Sequence, residues 1–376
     1  MDLTLSDEQK LIRQAVERFI RNDYSFDARK KIIGAEPGYS TAHWQTFAEL
    51  GWLGVPLPEA HGGFGGALAD LLQVVEPFGA GMVVEPYLPS VILAGTAIAE
   101  GGSEAQQAEL LPAIADGTLI AALAHGERQS RFNPHDVQTS ARREGDAYLL
   151  DGQKTVVPGA PWAQKFIVSA RTAGERFDAE GIGLFVVDAD AAGLQVDSYR
   201  TADGARAGNV TLQQVRVPAS AALGDPAAGL TALTAALDLG LAAACGEALG
   251  AMQAVYQRTL DYVKTRKQFD VPIGSFQVIQ HRLVDMFTAV ESSRSMLTML
   301  AVRFADPQER ARALTATKVH LGQNARYVAQ QAVQLHGGIG MTEELDIGHY
   351  FRRLTLFCLA FGSTDEQLET YAAEHI

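Results

Sequence analysis

Residues 262–286 read YVKTRKQFDVPIGSFQVIQHRLVDM. The chain carries a formal net charge of -13, yet Lys264, Arg266 and Lys267 gather here just before Phe269 and a Pro/Gly turn. A planar guanidinium fork beside an aromatic ring suits a phosphate-bearing, ring-containing anion. Behind the turn the apolar residues return at helical spacing, and they do so on both sides of the stretch. Long helical patterns cover 229–265, 276–305, 307–335, about 343–358 and 364–374. Towards the N-terminus, Ser6 and Gln9 have capping-box spacing ahead of Leu11, Ile12, Ala15, Val16, Phe19 and Ile20. Further helical patterns follow at Trp44–Leu50, Leu68–Val75, Val91–Ala99 and Glu104–Ala115. Between these helical ends, from about residue 121, the period changes to two in AALA, KFIVSA, GIGLFVV and NVTLQQVRV. Helices, strands and helices in that order exclude a doubly wound βαβ sheet.

Composition narrows the function classes. With 376 residues, 47% hydrophobic and 8% aromatic, the chain can bury a sizeable core. A pI near 5.2 argues against nucleic acid or an anionic membrane as the main partner. The opening MDLTLSDEQK lacks the basic and apolar regions of an export signal, and no uninterrupted apolar run approaches the ~20 residues of a membrane span. Cys245 and Cys358 sit among apolar neighbours and read as reduced core thiols, so a cytoplasmic location is expected. No GxGxxG or GxxxxGK[ST] phosphate loop, Glu-x-x-His pair or zinc-like Cys/His spacing occurs, so no metal is expected.

A second element lies in QLHGGIGMTEE, where Gln334 and His336 lead into Gly337, Gly338 and Gly340 at a helix end. Backbone amides there can approach an anion closely, although a simple helix C-cap uses the same residues. TRKQF and QLHGGIG, in this order and followed by a Gly-Ser-Thr turn, resemble the flavin-binding signature of the acyl-CoA dehydrogenase family. GSEAQQAELLPAIADG, DGQK and RKQFxxxIxxFQxxQHRLxDM extend the resemblance over nearly the whole chain. It implies an α+β, mainly α fold: an N-terminal helical domain (1–120), a middle β domain of orthogonal, barrel-like sheets (121–225) and a C-terminal four-helix bundle (226–376). It also implies FAD, contacted across a subunit interface by Arg266, Gln268, Phe269, Gln334, Gly337 and Gly338, with Gln277, His336 and Ser363 as further cofactor-binding residues. An acyl-CoA substrate and, as electron acceptor, an electron-transfer flavoprotein belong to the same expectation.

Dehydrogenation needs a carboxylate to remove the α proton, and here the chain departs from the family. Counted from the Gly-Gly pair, the usual base position falls on Phe361, within Ala360-Phe361-Gly362-Ser363. A second family position falls on Gly240-Leu241. Glu247 is the acid left over in the apolar run LAAACGEALGAM; seven residues from Gly240 place it on the same helical face, ~10 Å along the axis. It is either the base or half of an ion pair. The middle domain is altered as well, with Gly126-Glu127-Arg128 and QSRFNPHDV in place of the usual flavin-bed residues and Thr155-Val156-Val157 where a Trp-Ile-Thr/Ser element is expected. Intact cross-subunit contacts beside an eroded bed resemble the small subunits of bacterial α2β2 heteromers that act on steroid side-chain or pimeloyl thioesters. Two alternatives stand beside this reading. One is a self-sufficient homotetramer using Glu247 or an acid of Asp365-Glu366; the other is a non-catalytic scaffold.

Overall fold

The computed structural model describes residues 4–375. Its elements are α1 (Asp7–Asp23), α2 (Phe26–Gly34), α3 (Thr41–Glu49), α4 (Leu68–Gly81), a π-helix (Tyr87–Ala94), α5 (Gly95–Gly101) and α6 (Glu104–Ala115). Strands β1 (Ala121–Ala124), β2 (Ser140–Glu144), β3 (Ala147–Pro158), β4 (Lys165–Arg171), β5 (Ile182–Asp188), β6 (Leu194–Arg200) and β7 (Arg206–Pro218) follow. The chain ends with α7 (Leu230–Thr265), the short strands β8 (Lys267–Gln268) and β9 (Val271–Pro272), α8 (Gln277–Arg303), α9 (Pro307–His336), α10 (Ile347–Leu359) and α11 (Thr364–His375). The helix, strand, helix order expected from periodicity is what the chain adopts, and the Ser6/Gln9 capping box forms with both reciprocal bonds. Contacts group the chain into two units, each discontinuous in sequence: residues 1–31, 68–83 and 241–376, and residues 32–67 and 84–240.

In the helical unit, α4 and α7 meet backbone to backbone. A Cβ on Gly79 would stand 1.9 Å from the Glu247 carbonyl oxygen, and one on Gly250 would stand 1.8 Å from that of Glu76. Only glycine permits this crossing. The close approach buries Glu76, whose carboxylate takes Arg13 of α1 at 3.0 Å and Arg294 of α8 at 2.8 Å. α7 is also long and apolar enough to cross a membrane by composition alone; 67% of its most apolar stretch is buried by the protein, which accounts for that apolarity.

The β unit is built on one seven-stranded sheet. The order is β1-β4-β2-β3-β7-β6, with β5 paired to β4. β4 is a branch point, parallel to β1 and antiparallel to β5, while the long antiparallel pair β3/β7 carries register shifts at Leu150/Gly152 and Lys154/Val157. Leu150, Phe166, Phe185, Val210, Leu212 and Val215 form its core.

The Glu76 cluster yields a pH prediction. Burial alone would raise this carboxyl, but Arg13 and Arg294 outweigh it and hold the carboxyl below its ordinary value. A depressed carboxyl contributes stability above the unfolded value near 4.5 and loses it as pH falls through the folded value. Glu76→Gln is therefore expected to lower stability by about 1–3 kcal/mol at pH 7, discounted for the partial exposure of both arginines. The difference from wild type should shrink as acid protonates the native carboxylate. Unfolding midpoints between pH 7 and pH 3 measure it; a difference that grows in acid contradicts the assignment.

Candidate cofactor and substrate site

The basic stretch folds as a two-residue hairpin. Lys267 and Gln268 pair with Pro272 and Val271, and the two turn residues, Phe269 and Asp270, both have positive φ (54° and 66°). Such turns favour Asn-Gly, so a phenylalanine held there and 88% exposed is a strained residue turned to solvent. Its ring meets Phe276 edge-on with centroids 6.3 Å apart. Lys264, Arg266 and Lys267 are exposed, and among the described residues none has an ion-pair partner. Gln268 is exposed with its amide nitrogen donating to the Lys267 carbonyl, and Gln277 is exposed at the start of α8. Beside the hairpin, Tyr256, Leu260, Val263, Leu283, Val284 and Phe287 line an open cleft of about 600 Å³ between α7 and α8.

The glycine element lies at the end of α9, as expected. Gly337 caps the helix with φ 68°, and a tight turn runs to Met341. A Cβ on Gly338 would meet nothing within 4 Å and its φ is ordinary, so packing within this chain does not require glycine there. Gln334 is exposed nearby. His336 is buried: its Nδ1 donates to the Ala332 carbonyl at 2.8 Å and its ring stacks on Tyr262 with centroids 4.2 Å apart. His336 thus supports the turn from within, and its stack on Tyr262 joins the root of the glycine turn to the root of the basic hairpin. Burial lowers its pKa below the ordinary histidine value. Beyond the turn, Asp346 pairs with Arg258 of α7, while His349 bonds Glu343 at 2.7 Å and Arg29 at 3.2 Å.

Glu247 and Glu366 have structural tasks. Glu247 forms an ion pair with Arg353 of α10 at 2.6 Å, the ion-pair alternative of the two left open. Sequence reasoning missed Arg353. The available signal was a second arginine, following Arg352, in an otherwise apolar helix. Phe361 sits between α10 and α11 at φ 55°, and its carbonyl accepts from Gln367 at 2.9 Å. Ser363 and Glu366 form a reciprocal cap on α11: the Ser363 amide donates to the Glu366 carboxylate at 2.9 Å and the Glu366 amide donates to Ser363 Oγ at 3.2 Å. Asp365 is exposed in the same turn, and Gly240 and Leu241 bring no acid to their stretch of α7.

In the β unit, Glu127 and Lys154 form a buried pair at 2.6 Å. The Lys154 ammonium also donates to Ser169 Oγ, and the Glu127 carboxylate accepts from the amides of Gln138 and Thr139 and from the Gln129 side chain. Burial lowers Lys154 to about 8, which keeps it charged at neutral pH. Val156 stands at φ 53° and is 63% exposed, an outlier for a β-branched residue. Next to this pair, the space lined by His125, Ser130, Arg131, Phe132, Asn133, Pro134, Asp136, Val137 and Leu233 amounts to about 10 Å³. That holds one water at most.

Comparison with known proteins agrees with this geometry. Three domain models of acyl-CoA dehydrogenase match in order: the N-terminal domain over residues 6–118, the middle domain over 122–215 and the C-terminal domain over 227–375. The chain is 30% identical over 372 residues to the probable acyl-CoA dehydrogenase YngJ of Bacillus subtilis, covering 98% of this chain and 97% of that protein. It is 32% identical over 350 residues to acyl-CoA dehydrogenase FadE12 of Mycobacterium tuberculosis, covering 91% and 89%. Among solved structures it is similar to a chain of the ChsE4-ChsE5 complex from Mycobacterium tuberculosis, with TM-score 0.90 and 26% identity over 100% of this chain and 98% of that one. It is also similar to a chain of a variant of the Tcur3481-Tcur3483 steroid ACAD, with TM-score 0.88 and 30% identity over 98% of both. With three domain models matched across almost its entire length, the chain belongs to the acyl-CoA dehydrogenase family.

Proposed function

We propose that this chain is the base-lacking subunit of a heteromeric FAD-dependent acyl-CoA dehydrogenase, which introduces an α,β double bond into an acyl-CoA thioester. The observation that carries the reading is a contrast of charges. The leading carboxylate candidate, Glu247, is tied to Arg353, whereas Arg266 stands exposed, with no ion-pair partner among the described residues, on a strained hairpin rooted beside an open glycine turn. The residues present fit the outer half of a flavin nucleotide: a guanidinium for its pyrophosphate, Phe269 against an aromatic ring, and backbone amides at Gly337 and Gly338, where no Cβ intrudes. The residues expected to bed its ring system differ from the family's: Thr155-Val156-Val157 carries Val156 exposed at positive φ. When bound, the flavin would supply the acceptor for the β hydride. This chain's residues hold the nucleotide's anionic end and, through the apolar cleft between α7 and α8, offer a face to a homologous larger subunit that supplies the base. Both solved relatives described above are named as two-component assemblies, and one is named for steroid substrates, so bulky acyl-CoA thioesters are the first to assay.

Four experiments test the reading. The isolated chain should purify with little flavin and gain it on assembly; a lone chain holding stoichiometric flavin and dehydrogenating acyl-CoA would establish the homotetramer instead. Arg266→Ala should weaken flavin retention in the assembled enzyme by about 1.5–3 kcal/mol, the size of one charge-assisted phosphate contact, with an unchanged unfolding midpoint. Normal flavin occupancy in that variant removes the clamp role. Glu247→Gln should leave turnover within a few-fold of wild type, because a lost general base costs on the order of 10²–10⁴. Its unfolding midpoint should fall instead, since Arg353 loses its counter-charge. A thousandfold rate loss with flavin content and midpoint unchanged would make Glu247 the base. Phe361→Glu should not confer dehydrogenation on the isolated chain, because the Gly126-Glu127-Arg128 and Thr155-Val156-Val157 elements depart from the expected flavin bed as well.

A further inference from the structure

Behind the glycine turn the chain runs through Thr342 and Glu343 into α10, and the first turn of that helix lies against it. A Cβ on Gly348 would stand 3.2 Å from the Gly340 carbonyl oxygen, so α10 and the glycine turn meet at their backbones. The next residue, His349, is 4% exposed and is bonded at both ring nitrogens. Arg29 of α2, 1% exposed, reaches its Nδ1 at 3.2 Å, and its Nε2 stands 2.7 Å from the Glu343 carboxylate. The Phe26 ring meets the imidazole edge-on with centroids 4.9 Å apart.

These two partners fix where the proton sits. A guanidinium only donates, so Nδ1 accepts, and the ring hydrogen lies on Nε2, which donates to Glu343. The imidazole is therefore neutral. A second proton could enter only at Nδ1, where it would turn an accepted hydrogen bond into a contact between two buried cations. The charged groups facing the ring are Arg29 from α2, Glu343 from the segment behind the turn and Arg352 from α10 itself. Arg352 bonds Glu343 at 2.8 Å and brings its carboxyl down to about 2, so Glu343 stays ionised throughout the range in which a histidine titrates. Burial first, then Arg29 and Arg352, lower His349 below the ordinary histidine value and outweigh the pull of Glu343. The neutral ring thus contributes stability that is whole above the unfolded value near 6.5 and is lost as pH falls below it.

We propose that His349 is a proton-operated latch beneath the glycine turn: neutral, it ties α2 to the segment that leaves the turn, and protonated at Nδ1 it loses Arg29. The first turn of α10 and the Gly337–Met341 backbone in contact with it then loosen together. Arg29 also donates to the Met82 carbonyl at 2.8 Å, a bond that protonation of His349 does not touch, so the break is local to the ring. The latch needs no cofactor; only its consequence for flavin retention rests on the clamp reading above.

Hydrogen exchange of the full chain, followed on peptides covering residues 337–349 and corrected for the intrinsic effect of pH, tests it. Wild type should lose about tenfold or more in protection between pH 7.5 and pH 5, the size of one lost hydrogen bond to a charged group. His349→Gln offers an acceptor to Arg29 and a donor to Glu343 but takes up no proton in this range. Its protection should match wild type at pH 7.5 and stay there at pH 5; His336, whose value burial also lowers, is common to both chains and drops out of the comparison. The nitrogen chemical shifts of the His349 ring answer independently of any variant: a neutral ring with its hydrogen on Nε2, charging only below pH 6.5, is expected. Equal protection at both pH values in wild type overturns the proposal, as does the same acid loss in His349→Gln or a ring hydrogen on Nδ1 at pH 7.5. If the peptides loosen in acid while the assembled enzyme keeps its flavin, the latch stands and the glycine turn is removed from the clamp.

Discussion

Lys154 is shut away from water with its ammonium 2.6 Å from the Glu127 carboxylate, and the shape of the β unit around it follows from satisfying that pair. That carboxylate neutralises a buried cation and also accepts two backbone amides. It draws residues 138 and 139 towards it and fixes where the turn after residue 127 begins. The remaining space is a dent of about 10 Å³. The pair therefore accounts for the conformation of the Arg128–Phe132 turn, in which Arg131 is held at positive φ.

The same desolvation rule separates the working charges from the structural ones. Glu76, Glu247 and Glu127 each have a cationic partner inside the fold, because an isolated buried carboxylate is far costlier than a paired one. Arg128, Arg131 and Arg266 lie where water solvates them, so leaving them unpaired costs the fold little. In a chain of net charge -13 these exposed arginines, beside exposed phenylalanines, are local exceptions to the acidic balance.

Much of this was legible in the sequence. The helical period set the long helices of the C-terminal half to within a few residues, because their apolar stripes and flanking turns are strong local signals. The segment Phe26–Gly34 gave no such signal: its most buried side chain is Arg29, whose reason for being there is a bond to the Met82 carbonyl and another to His349. Residues 91–99 read as one helix, whereas the chain winds as a π-helix through Ala94 before turning α-helical. At the site, the hairpin and the glycine turn were visible as motifs. The stack of Tyr262 on His336 and the pairing of Glu247 with Arg353 were not, since each joins residues far apart in sequence, and periodicity carries no information about partners at that range.

The exposed hairpin also constrains how assembly and cofactor relate in the proposed enzyme. While the chain is alone, water solvates Arg266 and its neighbours at no penalty. A partner that covers the hairpin removes that water, and an arginine desolvated without a counter-ion opposes association. A flavin pyrophosphate seated between the chains supplies the missing charge, so the cofactor favours assembly by the same free energy with which assembly favours the cofactor.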